Sequence, residues 1–254
     1  MTTTVDLNAD MGESFGPWPM GNDAALLKIV SSANIACGFH AGDPDTMART
    51  MDLALAAGVA IGAHPGFADL QGFGRRRITL SDREMTNMIQ YQVGAAMALA
   101  QARGARLNHV KLHGALSNMA CEDLGMATAC YRAVLAIQPD LRLVVMPGTA
   151  LEQAATDLGA RQVREIFADR AYNDDGTLVD RRQPGAMIHD PDEAADRIVA
   201  MLRDRGIRTA SGKLLKTPID TICVHGDGAA ALTIARTLAD GLAAAQIAIA
   251  APGA

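Results

Sequence analysis

Aromatic side chains are scarce, at 4% of 254 residues, so Ala, Leu, Val, Ile and the 13 Met must build any core. Blocks of like charge are missing and the net charge is −5. A phosphate-tracking surface shows clustered Lys and Arg, so no nucleic-acid partner is expected. No uninterrupted apolar run approaches the ~18 residues of a membrane span. The nearest candidate, the Ala-rich C-terminal stretch, is interrupted by Arg236, Asp240 and Gln246. The opening MTTTVDLNAD has neither a basic nor an apolar segment of an export signal, which leads to a cytoplasmic expectation. Cys37, Cys121, Cys130 and Cys223 lie far apart without C-x-x-C spacing, arguing against a thiolate zinc site or a disulfide framework. Nucleotide loops are missing too. Gly206 to Gly212-Lys213 has five intervening residues where a phosphate loop has four, and Leu214 stands where Ser or Thr belongs.

Short β-type runs alternate with helical runs along the whole chain. The expected strands are Val5–Asp10, Ser31–Cys37, Ala60–His64, Leu107–His113, Leu141–Met146, Arg164–Ala168 and Thr221–Asp227. Ser81 with Glu84 forms a capping box for a helix that Gly104 closes. Asp43-Pro44 and Asp190-Pro191 open helices ending near Gly58 and Gly206. Strands alternating with helices imply a parallel sheet, and about seven units without a linker favour an α/β fold, a single (β/α) barrel spanning residues 1–254. Residues 169–190, rich in Asp, Gly and Arg, read as a long functional loop.

Several strands carry a polar face. Alternation aligns Asp6, Asn8 and Asp10 on the first, His109, Lys111 and His113 on the fourth, and His225 with Asp227 on the last. A parallel sheet wrapped by helices buries both faces, so such residues need partners or a cavity. They also cluster at strand C-termini, where His40 follows the second strand and His64 ends the third. Barrel enzymes place catalytic groups there. Glu13, beside Asp10 in a Gly-flanked loop, offers an acid/base partner. Other residues stay open. Asp43 suits a helix N-cap at least as well as catalysis, Cys37 suits a buried hydrophobe better than a nucleophile, and Arg75-Arg76-Arg77 suits an anion or solvent equally. His109 and His113 have H-x-x-x-H spacing, which aligns two metal ligands only on a helix.

Asp6-Leu7-Asn8-Ala9-Asp10-Met11-Gly12-Glu13 and Asn34-Ile35-Ala36-Cys37-Gly38-Phe39-His40-Ala41-Gly42-Asp43-Pro44 carry a resemblance to a known family. So do Gly62-Ala63-His64-Pro65, Gly72-Phe73-Gly74-Arg75-Arg76, Val110-Lys111 with His113-Gly114-Ala115-Leu116, Glu165 to Tyr172, and Cys223-Val224-His225-Gly226-Asp227. Together they resemble the LamB/YcsF family over essentially the whole chain. Leu112 and Ser117 depart from its usual Pro and Tyr.

The resemblance implies a glycoside hydrolase/deacetylase-like barrel that opens 5-oxoproline to L-glutamate, coupled to ATP hydrolysis. It also implies partners, the 5-oxoprolinase subunits B and C, similar to the parts of a biotin-independent amidolyase. With no ATP motif in this chain, ATP is expected on the partners. Asp10 or Glu13 is expected as general base on water, and His64 or His113 as proton donor to the ring nitrogen. Lys111 would stabilise developing charge, and His225 with Asp227 would form an orienting pair. His40 completes the catalytic set. Asn8, Arg75, Arg76, Glu165 and Arg170 are expected at the substrate, with an Arg of the 74–76 loop on its carboxylate. Replacing Lys111 or His113 by Ala is expected to cost turnover more than stability. No metal is assigned, although carboxylate and imidazole ligands at Asp10, His40 and His64 leave open a stand-alone metal-dependent deacetylase. A non-catalytic substrate-binding role is the other alternative.

Overall fold

The computed structural model describes residues 4–224 and 231–253; His225 and Asp227, expected at the site, lie outside them. In chain order the first elements are β1 (Thr4–Met11), α1 (Asp23–Leu26), β2 (Ser32–Ala36), α2 (Pro44–Ala56), β3 (Ala60–His64) and α3 (Asp82–Ala102). Next come β4 (His109–Val110), α4 (Gly114–Glu122), α5 (Leu124–Leu135), β5 (Arg142–Val145), α6 (Ala150–Asp157) and β6 (Gln162–Phe167). The chain continues through α7 (Pro191–Asp204), β7 (Gly206–Arg208), β8 (Leu214–Lys216), β9 (Thr221–Val224), α8 (Ala231–Ala244) and β10 (Ala248–Ile249).

Seven parallel strands run in the order β1-β2-β3-β4-β5-β6-β9, and β9 pairs back onto β1 through Asp6↔Thr221 and Asn8↔Cys223. The sheet is therefore a closed barrel, as expected. Two features went unforeseen: β10 pairs with the start of β1, and β7–β8 form an antiparallel hairpin outside the barrel. Both are too short to register as period-2 patterns.

Leu7, Ile35, Ile61, Val110 and Ile222 are fully or nearly fully buried in the apolar core. Each such side chain contributes roughly 1.5–3 kcal/mol on burial. Few aromatics are needed because the helices pack through Ala; Ala96 and Ala100 of α3 are wholly buried. Of the three Tyr, Tyr131 and Tyr172 are wholly buried, each with its hydroxyl satisfied by backbone: Tyr131 donates to the Val144 carbonyl, and Tyr172 accepts from the Phe167 amide.

Local signals mostly hold. Asp43 caps α2 by accepting from the Thr46 amide, the Ser81–Glu84 box opens α3, and Asp190 caps α7. The end of α7 differs, since Arg205 takes the left-handed turn (φ +50°) while Gly206 starts β7. The expected strand 107–113 is also corrected. Only His109–Val110 form a regular ladder, because β5 runs beside this segment only briefly. The backbone still tracks the third strand, with the Lys111 amide donating to Ala63 and the His113 amide to Pro65.

Candidate active site

The barrel's inner face is polar, and its groups meet across strands in tiers. At the bottom, the Asp6 carboxylate accepts from Ser31 Oγ at 2.6 Å, Ser32 Oγ at 2.8 Å and Thr221 Oγ1 at 2.5 Å. Burial raises its carboxyl pKa, and the three hydroxyls pull in the other direction.

One residue pair higher, Asn8 Nδ2 donates to Glu165 Oε1 at 3.1 Å and to Thr221 Oγ1 at 2.7 Å. Asn34, in register with Asp10, donates to Asn8 Oδ1 at 2.6 Å and Asp10 Oδ1 at 2.9 Å. With its nitrogen so committed, the Asn34 oxygen must accept, so His109 presents Nε2–H to it at 2.8 Å. His109 Nδ1 is then left buried without a hydrogen-bond partner, and burial pushes this imidazole down to about 3. Gly62 makes the arrangement possible, because a Cβ there would overlap the His109 ring.

Lys111 joins this tier to the next. Its ammonium lies 2.8 Å from Glu165 Oε1, 3.0 Å from Asp10 Oδ1 and 3.0 Å from Cys223 Sγ. Burial opposes the charge, but Asp10, Cys223 and Glu165 outweigh it and hold the group above the ordinary Lys range.

The upper tier is built differently. His64 Nδ1 lies 2.8 Å from the Lys111 carbonyl, and His113 Nε2 lies 2.8 Å from the Phe73 carbonyl. A carbonyl can only accept, so both nitrogens carry hydrogen. The remaining nitrogens, His64 Nε2 and His113 Nδ1, face each other at 3.0 Å, and Asp10 Oδ2 stands 3.4 Å from His64 Nε2. Glu13 brings a second carboxylate close: single ligand-type atoms of Asp10, Glu13 and His113 lie within 4.8 Å of one another. His40 stacks on His113 with centroids 3.7 Å apart and planes 6° from parallel. Both its ring nitrogens are buried without hydrogen-bond partners. Burial lowers the pKa of His40 and brings that of His113 to about 3. Gly74, at φ +61°, packs against this stack; a Cβ there would come within 2.8 Å of both residues.

Asp10, Glu13, His64, Lys111 and His113 open into a cavity of about 670 Å³. Arg75 and Arg170 line it as well, as do Leu112 and Ser117. The 169–190 loop supplies much of its wall, including Asn173 and Thr177 to Gln183. Arg170 Nη2 donates to the Val179 carbonyl at 2.7 Å, while its buried Nε has no hydrogen-bond partner. Burial, with Arg181 nearby, lowers the Arg170 pKa to about 10.

Several residues expected at the site, as substrate contacts or, for His40, as part of the catalytic set, stand elsewhere. Asn8 and Glu165 sit beneath the cavity as partners of Lys111 and the asparagine network, and His40 lies behind His113. Arg76 points away and braces its loop through Asp69, which it holds well ionised. Cys37 is a buried thiol donating to the Ile35 carbonyl, with burial raising it to about 12. Asn34, Thr221 and Cys223 belong to the network without having been singled out. Parallel register alone could have found Asn34, which pairs with Asp10.

Fold and site together define a closed parallel barrel with an ionisable cluster at the C-terminal mouth of its strands. The chain belongs to the LamB/YcsF family, whose model matches residues 5–254. It is 60% identical over 236 residues to the 5-oxoprolinase A subunit of Ruegeria pomeroyi, covering 93% of each chain. The corresponding Nitrobacter hamburgensis protein is 52% identical over 248 residues, 97% of each. Among solved structures, a lactam utilization protein from Thermus thermophilus superposes with a TM-score of 0.92 at 44% identity, covering 98% of this chain and all of that one. Among the described residues, no helix is long and apolar enough to cross a membrane.

Proposed function

We propose that this chain is the lactam-opening component of an ATP-dependent 5-oxoprolinase, converting 5-oxo-L-proline to L-glutamate with partner subunits B and C. The observation that carries the proposal is one cavity holding two complementary halves. An acceptor cluster of Asp10, Glu13, His64 and His113 suits a water nucleophile, and Arg75 and Arg170 suit a carboxylate. 5-Oxoproline carries both an amide carbon and a carboxylate. The names of the relatives in Ruegeria and Nitrobacter support the same substrate.

A five-membered lactam resists hydrolysis because its amide is resonance-stabilised, so the carbonyl oxygen must first be activated. Phosphorylation by ATP on the partner subunits supplies that activation, consistent with a sequence that lacks a phosphate loop. Water then adds to the ring carbon and gives a proton to the acceptor cluster. The ring C–N bond breaks as the nitrogen takes a proton, leaving an acyl phosphate. A second water releases phosphate and glutamate. Lys111, held charged between Asp10 and Glu165, keeps the Asp10 carboxylate ionised and oriented beneath the reacting carbon. The cavity is larger than a lactam of nine heavy atoms needs, which leaves room for the phosphoryl group.

The test is glutamate formation with this chain alone, with the partner subunits alone, and with all three plus ATP. Glutamate is expected only from the complete mixture. Equal release without this chain, or ATP-dependent release by this chain alone, would overturn the division of labour.

A further inference from the structure

We propose that the end of the barrel opposite the active-site cavity carries a second binding site, which takes a small organic dianion on Arg142, Arg205 and Lys216. A cavity of about 1050 Å³ lies there, at the N-terminal ends of β1, β5, β6 and β9. That end of a barrel ordinarily serves stability, and its polar groups should then be matched to one another. The acids of this cavity are matched. Asp6 takes hydrogens from Ser31, Ser32 and Thr221, and Asp220 accepts from the Arg164 amide at 2.8 Å with the Arg164 guanidinium 3.5 Å away. Its cations lack such partners. Among the described residues, neither the Arg142 nor the Arg205 side chain has a hydrogen bond or an ion pair, and Lys216 donates to the Asp204 carbonyl at 2.7 Å. Three positive charges therefore line one cavity whose two acids are already engaged.

Local backbone brings these cations together. The β7–β8 hairpin pairs Gly206 with Lys216, and the Thr217 amide donates to the Arg205 carbonyl at 3.1 Å, so Arg205 is held beside Lys216. Arg205 sits at φ +50°, in the left-handed turn that glycine or asparagine usually fills at a helix end. Gly206 is used otherwise, since a Cβ there would come 2.6 Å from the Leu215 carbonyl oxygen. The chain thus keeps an arginine where its backbone is strained and glycine would be relaxed. Such strain is characteristic of a residue whose side chain is needed in place. Arg142 is held from the other side. The Ala250 amide donates to the Val5 carbonyl at 3.1 Å, and Asn108 Nδ2 donates to the Pro252 carbonyl at 3.2 Å. Gly253 then lies against the Arg142 guanidinium, which a Cβ at that position would overlap.

The lining also defines the class of ligand. Val5, Val163, Leu202 and Ile219 give the cavity an apolar side, which suits a carbon skeleton as well as its charges. Guanidinium groups recognise carboxylates and phosphates through paired hydrogen bonds, and Lys216 adds a point charge. A dicarboxylate or a phosphate monoester meets both requirements. The site does not depend on which amide the other cavity accepts, so its test is separate from the activity assay.

The experiment is calorimetric titration of the full-length chain at low ionic strength with glutarate and, separately, with glycerol 3-phosphate. Saturable binding of at least one of them is expected, and the tighter of the two assigns the class. Arg142→Gln and Arg205→Gly should each weaken that binding about tenfold or more, because each removes charge-assisted hydrogen bonds. Glycine relaxes the left-handed turn, so Arg205→Gly should melt no lower than the wild-type chain while binding less. That variant decides the matter even if Arg142→Gln fails to fold. Arg170→Ala, in the active-site cavity, should leave the same affinity within about twofold, as expected of distant sites. Absence of saturable binding by both probes would overturn the site, as would unchanged affinity in folded Arg205→Gly and Arg142→Gln. So would loss of all binding in Arg170→Ala, which would put the anion in the active-site cavity.

Discussion

Around Asp6, three hydroxyls direct hydrogens at a single carboxylate; around His64, an imidazole nitrogen faces another imidazole nitrogen and a carboxylate oxygen. The two places lie in the same barrel interior, yet their hydrogen-bond balance is opposite. In the lower tiers Ser32, Thr221, Asn8, Asn34 and Lys111 supply donors where the acids need them. In the upper tier the donors are turned outward to carbonyls and the acceptors inward to the cavity. A buried network whose acids find donors specifies structure, whereas imidazole and carboxylate groups gathered at the mouth of a cavity are placed to meet a ligand. On the proposed function, the lower barrel is scaffold and the upper barrel is the site.

Lys111 joins both tiers, opening into the cavity while neutralising two buried carboxylates, so its loss is expected to cost stability as well as turnover. Lys111→Ala would leave Asp10 and Glu165 buried beside each other without their shared cation. The expected loss is about 3–5 kcal/mol of stability, read from urea denaturation. A folded variant within about 1 kcal/mol of wild type would break the comparison by showing that the carboxylates need no cation.

His109 sharpens it through pH. The folded imidazole titrates near 3 against an ordinary 6.5, so the native state keeps it neutral. As pH falls through this window the unfolded chain binds a proton that the native ring refuses, and stability is lost. His109→Gln keeps an N–H for Asn34 but does not titrate. Stability should then fall less steeply between about pH 6 and 4, by roughly 1 kcal/mol per pH unit. An unaltered slope would mean that His109 is protonated in the native barrel.

The arginines give the smallest effects and separate cavity from scaffold. Arg170→Ala should raise KM about tenfold or more while leaving kcat little changed, since a charged hydrogen bond contributes about 1.5–3 kcal/mol. Arg76→Ala should leave both constants within about twofold, because its partner is Asp69 and its side chain is largely exposed. Equal effects from the two would remove the distinction between them.

Much of this was legible in the residues. Period-2 alternation put Asp6, Asn8 and Asp10 on one face, and strand-end placement brought Asp10, His64, Lys111 and His113 to one cavity. What could not be read was which polar residues reach the cavity and which stay beneath it. Glu165 and Arg76 were expected at the substrate on the same footing as Arg75 and Arg170. Strand register sinks Glu165 level with Thr221, and Asp69, earlier in the same loop, captures Arg76. The orientation of each imidazole was equally hidden, because it depends on the Lys111 and Phe73 carbonyls rather than on any motif.

That the upper tier performs chemistry while the lower tier holds the barrel is tested most directly by Asp10→Asn. Asp10 joins both tiers, with Oδ1 toward Lys111 and Asn34 and Oδ2 toward His64. The substitution keeps the shape, and Glu165 still pairs with Lys111. The measurement is kcat for ATP-dependent glutamate formation by the complex assembled with this variant, alongside its melting temperature. The expected result is a folded variant whose kcat falls about 10²-fold or more. Near-normal turnover would contradict the division between tiers, and so would a collapse in melting temperature, which would make Asp10 part of the scaffold.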